Sequence, residues 1–70
     1  MGLFSDYVIY IQFDDGDWGY FVRVSGDRVV YNRSASAAKK YSTRAGAAVD
    51  IGYYLSDFED VISYTRIEKY

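Results

Sequence analysis

The chain predicts an α+β domain of order βββαβ, a mostly antiparallel four-stranded sheet carrying one main helix, at about 44–55, on one face. Three observations lead there. Two runs dense in β-branched and aromatic residues, 7–13 and 18–24, flank a short acidic loop. From Ser34 a stretch rich in Ala, Lys and Ser then shifts the composition toward helix, and residues 61–68 return to strand character. At 70 residues the chain has room for one small core, so 1–70 is read as a single domain.

In the first run, Tyr7, Ile9, Ile11 and Phe13 share one face, and Val8, Tyr10 and Gln12 share the other. Asp14-Asp15-Gly16-Asp17 supplies turn residues, so Trp18-Gly19-Tyr20-Phe21-Val22-Arg23-Val24 returns antiparallel to it. Ser25-Gly26-Asp27 marks a second turn into a third strand, Arg28 to Arg33. Ser34 or Ser36 is expected to cap a short helix ending near Tyr41, and Ser42 or Thr43 to N-cap the main helix from Arg44 to about Leu55. On a helical wheel Ala45, Ala48, Val49, Ile51, Gly52 and Leu55 gather opposite Gly46, Asp50 and Tyr54, and that apolar side is expected on the sheet. Ser56 to Asp60 is an acidic connection with Phe58 turned inward, and the strand that follows is able to join either edge of the meander. One helix covers one sheet face. The other must be wet, dimeric or partner-bound, and Val8 and Tyr10 make it more apolar than solvation requires.

The inventory excludes much chemistry. The chain has no His, Cys or Pro, which removes imidazole bases, thiol nucleophiles, disulfides and nearly all zinc sites. Any nucleophilic Ser or Thr would need Lys or a carboxylate as its base, and nothing in the sequence sets Lys39 or Lys40 beside one. A carboxylate pair such as Asp57 and Asp60 lacks the chain length for an enclosing pocket. The acids at 14, 15 and 17 lack the alternating spacing and terminal Glu of a calcium loop. The expectation is a protein that is no enzyme and holds neither metal nor cofactor. No run approaches the roughly 20 apolar residues of a membrane span. The first residues lack a basic segment before an apolar one, and Asp6 stands where a myristoylation signal carries Ser or Thr. A cytoplasmic location without membrane contact follows as an expectation.

Charge is unevenly spread about a net of −2 and an isoelectric point near 4.8. Residues 1–22 carry Asp6, Asp14, Asp15 and Asp17 without a base; residues 23–44 carry Arg23, Arg28, Arg33, Lys39, Lys40 and Arg44 against Asp27 alone. Residues 45–70 are acidic again, with Asp50, Asp57, Glu59, Asp60 and Glu68 against Arg66 and Lys69. Such an order either separates into regions of opposite sign or interleaves and cancels. The basic set, interleaved with Tyr31 and Tyr41, has the residue types that contact phosphates and stack on bases. The same bases also suit a solvated surface paired locally with acids.

Nine tyrosines exceed what so small a core needs. Tyr53 and Tyr54 cannot both face inward, since adjacent helical residues point about 100 degrees apart. Tyr and Trp favour interfaces, where an apolar ring is covered and the polar tip stays wet. The candidate partner-binding residues are therefore Asp14, Asp15, Asp17, Trp18, Tyr53, Tyr54, Asp57, Glu59 and Asp60, in which the carboxylates are suited to grooves that normally hold phosphates.

Trp18 on a hairpin, followed by the helix entry Tyr41-Ser42-Thr43-Arg44-Ala45-Gly46-Ala47, resembles the YegP-like short domains of unknown function over about half the chain. That resemblance implies a small ββα-type module with no catalytic residues. In size, acidity, aromatic richness and lack of Cys and Pro the chain is similar in type to small phage-encoded inhibitors, anti-CRISPR proteins among them. That likeness implies stoichiometric occlusion of a host protein or nucleoprotein complex. The alternatives are a nucleic-acid binder using the 23–44 bases and a structural homodimer closed over the open sheet face.

Overall fold

The computed structural model describes residues 6–70; the residues read for targeting, Met1 to Ser5, lie outside the described residues. Strands β1 (Tyr7–Phe13), β2 (Trp18–Ser25) and β3 (Arg28–Asn32) form the meander, and α1 (Arg44–Tyr54) leads through a 3₁₀ turn at Leu55–Phe58 into β4 (Ile62–Lys69). The sheet is antiparallel throughout, in the order β3-β2-β1-β4, so the last strand joins β1. The α+β class and the βββαβ order are those expected from the sequence. No helix of the described residues is long and apolar enough to cross a membrane.

Hydrophobic burial holds one sheet face to the helix. Ile9, Ile11 and Phe21 are almost wholly excluded from solvent and pack with Tyr41, Ala47 and Leu55. Each large side chain so buried contributes roughly 1.5–3 kcal/mol. Thr43 is the N-cap of α1, its hydroxyl accepting from the Gly46 N–H at 3.0 Å.

Two local expectations are corrected. The short helix expected before Tyr41 is only a 3₁₀ turn, Ala35–Ala37. Beyond it the chain is drawn out because sheet-type partners are on offer: the Lys39 N–H donates to the Phe21 carbonyl, and Tyr41 exchanges two backbone bonds with Tyr7. The inward side of α1 is also rotated from the wheel. Ala47, Ile51 and Tyr54 face the core and Leu55 follows them, while Val49 stands 67% exposed and Ala45, Ala48 and Gly52 are exposed. Apolarity alone misplaced that side because Asp50 has partners beneath the helix.

Those partners sit in a fork. β1 and β2 pair only over Tyr10–Gln12 with Trp18–Tyr20, then part, and the segment from Lys39 to Tyr41 enters the gap. Asp50 reaches down from α1 to accept from the Tyr41 hydroxyl at 2.6 Å and the Lys39 ammonium at 2.8 Å. Burial acts to raise the Asp50 carboxyl, but the hydrogen bonds from Lys39 and Tyr41 outweigh it and hold it below the usual value. The Tyr41 hydroxyl is pushed far up, first by burial and then by its bond to Asp50.

Gly19 is the other tight point. It is buried on the helix-facing side of β2, and a Cβ there would lie 2.6 Å from the Tyr31 ring and 3.1 Å from the Asn32 carbonyl oxygen. The Tyr31 ring crosses this bare backbone to meet Phe13, with centroids 4.6 Å apart. Gly16 and Gly26, at the two turns, take left-handed backbone.

Two stability measurements check this account. Asp50→Ala leaves the buried Tyr41 hydroxyl without its acceptor and is expected to cost about 1–3 kcal/mol in urea unfolding, with Asp50→Asn losing less because one acceptor oxygen stays. Gly19→Ala is expected to destabilise by about 1–3 kcal/mol, the range for overpacking, and restoring space with Tyr31→Leu should recover part of the loss.

Candidate functional site

The sheet face away from α1 carries an aromatic layer. Strand alternation and register place Tyr10, Trp18, Tyr20, Tyr64 and Arg66 on it together: Tyr10 lies opposite Tyr20 and Arg66, and Gln12 opposite Trp18 and Tyr64. Tyr10 is the hub, with ring centroids 6.0 Å from Trp18, 5.8 Å from Tyr20 and 6.2 Å from Tyr64. The rings meet tilted or edge-on, as aromatic quadrupoles prefer. Val8, on the same face, is only 1% exposed.

Two guanidinium groups complete the layer. Arg66 lies 4.3 Å above the Tyr10 ring and is held by Glu68, whose other oxygen accepts from the Tyr20 hydroxyl at 3.2 Å. Arg33 lies 4.6 Å above Trp18, donates to the Trp18 carbonyl at 2.9 Å, and forms an ion pair with Asp17. Asp17 also accepts from the Tyr31 hydroxyl and the Trp18 N–H. The Tyr31 hydrogen bond first, then the Arg33 and Trp18 bonds, hold its carboxyl down at about 2. Each arginine of the layer thus has a carboxylate beside it, and the patch is close to neutral.

The acidic candidates collect at one end. β1 finishes, and β2 and β4 begin, at that end, where the Asp14 N–H donates to the Val61 carbonyl at 2.9 Å. Asp14, Asp15 and Asp60 share a shallow hollow there with Phe13 and Val61, and Asp57 and Glu59 lie on the connection just before it. Asp17 differs from them in being paired with a base, Arg33. Trp18 sits within the aromatic layer. Tyr53 and Tyr54 are not brought to it, because α1 is on the opposite side of the sheet: Tyr54 packs near Phe21 at 6.1 Å between centroids, and Tyr53 stands 72% exposed. Among the described residues, no group of acids converges as a metal-ligating cluster.

The basic candidates are scattered. Besides Arg33 and Lys39, Lys40 donates to the Ser36 and Ala38 carbonyls, both at 2.9 Å, and Arg44 to the Ile67 carbonyl at 3.2 Å. Arg23 and Arg28 are exposed toward the far end, near the β2–β3 turn. The acidic–basic–acidic order along the chain therefore folds into an acidic end and a dispersed set of bases. Tyr10, Tyr20, Tyr64 and Arg66 escaped the sequence reading. The semi-apolar alternate set of the first strand was their only signal, and joining Tyr64 and Arg66 to it required knowing which edge the last strand takes.

Asp17 yields a pH prediction with a definite sign. Its carboxyl is more acidic in the fold than in the open chain, so its contribution is complete above the unfolded value near 3.8 and is lost as pH falls toward about 2. Stability measured from pH 5 to pH 2 should fall less steeply in Asp17→Asn than in the parent chain. Equal slopes would remove Asp17 as an anchor of Arg33.

Comparison with protein-family models, curated proteins and solved structures finds no match to this chain.

Proposed function

We propose that this chain is a non-enzymatic, cytoplasmic protein-binding module that acts by stoichiometric occlusion, laying the open face of its sheet on a host protein or nucleic-acid-handling complex. The observation that carries the reading is the layer of Tyr10, Trp18, Tyr20 and Tyr64 with Arg33 and Arg66 across the face opposite the helix. Trp, Tyr and Arg are the residue types on which protein interfaces concentrate their binding energy. Here they are held by one another, so little side-chain entropy is lost when a partner covers them.

Charge pairing supports a protein over a polyphosphate as the partner. A nucleic acid would have to draw Arg33 and Arg66 away from Asp17 and Glu68, whereas a protein surface can cover each neutral pair as it stands. The acidic end, with Asp14, Asp15, Asp57, Glu59 and Asp60, supports steering toward a partner rich in Arg and Lys. The likeness in type to small phage-encoded inhibitors supports the same stoichiometric mode.

The test compares capture from nuclease-treated bacterial lysate by the parent chain and by Trp18→Ala and Tyr64→Ala, with mass in solution measured in parallel. A specific protein complex that survives nuclease and weakens at least about tenfold in both variants is expected. Capture that vanishes with nuclease would transfer the function to Arg23, Arg28 and the other 23–44 bases. A doubled mass abolished by Tyr64→Ala would make the face a homodimer contact instead.

A further inference from the structure

A second surface lies along the outer edge of β4, apart from the aromatic layer. Tyr7 spends its backbone N–H and C=O on Tyr41, on the side away from β4. The alternation of an antiparallel ladder then makes Tyr7–Lys69, Ile9–Ile67 and Ile11–Thr65 the pairs not bonded to each other, which turns the backbone groups of Thr65, Ile67 and Lys69 outward. The Arg44 guanidinium on the Ile67 carbonyl agrees with that parity and closes one outward group. Among the described residues, no hydrogen bond is recorded to the N–H or carbonyl of Thr65 from outside the sheet.

Beside this open stretch runs a groove of about 310 Å³ between α1 and β4. Its walls are Ile51 and Leu55 from the helical side and Ile62 and Thr65 from the strand, with Glu59 at one rim. Gly52 also lines it, and a Cβ built there meets nothing within 4 Å, so a larger side chain can be introduced at this wall without a clash at Cβ. Glu59, with Asp57 and Asp60 on the same connection, gives this end of the groove a negative rim; among the described residues none of the three forms an ion pair.

We propose that the β4 edge and this groove bind an extended peptide segment with an apolar residue and, two positions along, a basic one, so that both point to the helix side of the sheet. The peptide adds a fifth strand through the outward groups of Thr65, inserts an apolar side chain between Ile51 and Ile62, and sets a basic residue against Glu59. An open sheet edge next to a helix supports this mode of recognition in general: main-chain bonds give affinity, and the groove between strand and helix selects alternate side chains. Charge chooses the peptide, since Glu59 is the charged side chain lining the groove, while Arg44, a cation on this edge, is held at Ile67 beyond it. The site is independent of the open-face reading and stands or falls separately from it.

The test is a titration of the isotopically labelled full chain with a blocked hexapeptide carrying Val, Lys and Val at its second, fourth and sixth positions and Thr at the others, followed by amide chemical shifts. Shifts centred on Gly52, Ser56, Thr65 and Ile67 are expected, with affinity at least tenfold lower for the peptide carrying Glu in place of Lys. Gly52→Phe fills the groove and Thr65→Pro removes an outward N–H without touching a bond to β1, and each should weaken binding at least tenfold. Gly52→Phe decides the matter if Thr65→Pro impairs folding, because its side chain enters open space. Absence of shifts at millimolar peptide, equal binding by Gly52→Phe, or equal affinity for the Glu peptide would overturn the proposal. Shifts confined to Tyr10, Trp18 and Tyr20 would overturn it too while leaving the open-face reading intact.

Discussion

The fork between β1 and β2 is the constraint on which the rest of the structure depends. Two neighbouring strands that separate after three residue pairs leave backbone groups that must find partners inside the molecule. The segment through Lys39 and Tyr41 supplies them, and it brings a tyrosine hydroxyl and an ammonium group under the helix. Asp50 meets both, and this fixes the rotation of α1. Ala47, Ile51, Tyr54 and Leu55 then become the packed stripe, Tyr53 is left in solvent, and the groove beside β4 has Gly52 on its wall. A single carboxylate thus decides which helical residues belong to the core and which to the surface.

Electrostatics divides the remaining surface by the same logic of local satisfaction. Carboxylates that meet a partner early, Asp17, Asp50 and Glu68, become structural. Among the described residues, Asp14, Asp15, Asp57, Glu59 and Asp60 form no ion pair, Asp15 accepting only from the Asp17 N–H, and antiparallel topology gathers these five because the hairpin tip and the entry to β4 share an end of the sheet, whereas Asp6 and Asp27 lie elsewhere. The bases are mostly consumed by carbonyls and by tyrosine faces close in sequence or across the sheet. Net charge therefore describes this molecule poorly: the acidic end acts over a Debye length of about 8 Å, while the paired groups cancel within their own contacts.

What the sequence made legible is what periodicity and composition encode. Tyr7, Ile9, Ile11 and Phe13 are one face of a strand by simple alternation, and Thr43 precedes a helix that it caps. The extended path through Lys39 and Tyr41 was hidden because Ala, Ser and Lys favour helix locally, and the backbone partners that override them come from residues 18 to 34 positions away. The face of α1 was hidden for a related reason, since a wheel ranks Asp50 as polar without knowing that a phenol and an ammonium lie under it. Trp18 was legible as a candidate, but its layer was not. Tyr64 and Arg66 join Tyr10 only through pairing of β4 with β1, which no local signal specifies.

The aromatic layer lies over the three-residue stretch where β1 and β2 are paired, so its rings reinforce the short ladder as well as presenting a surface. Cross-strand aromatic pairs contribute roughly 0.2–1 kcal/mol each, and Tyr10 takes part in several contacts at once. Loss of Tyr10 therefore mixes a folding effect with any binding effect. Tyr64 is different: it sits at the rim on β4, 47% exposed, and touches the layer through Tyr10 and Arg66 alone among the recorded ring contacts. Under the proposed function, stability and recognition are thus superposed at the hub and separable at the rim. Within the layer, the most exposed ring is also the one with the fewest aromatic partners.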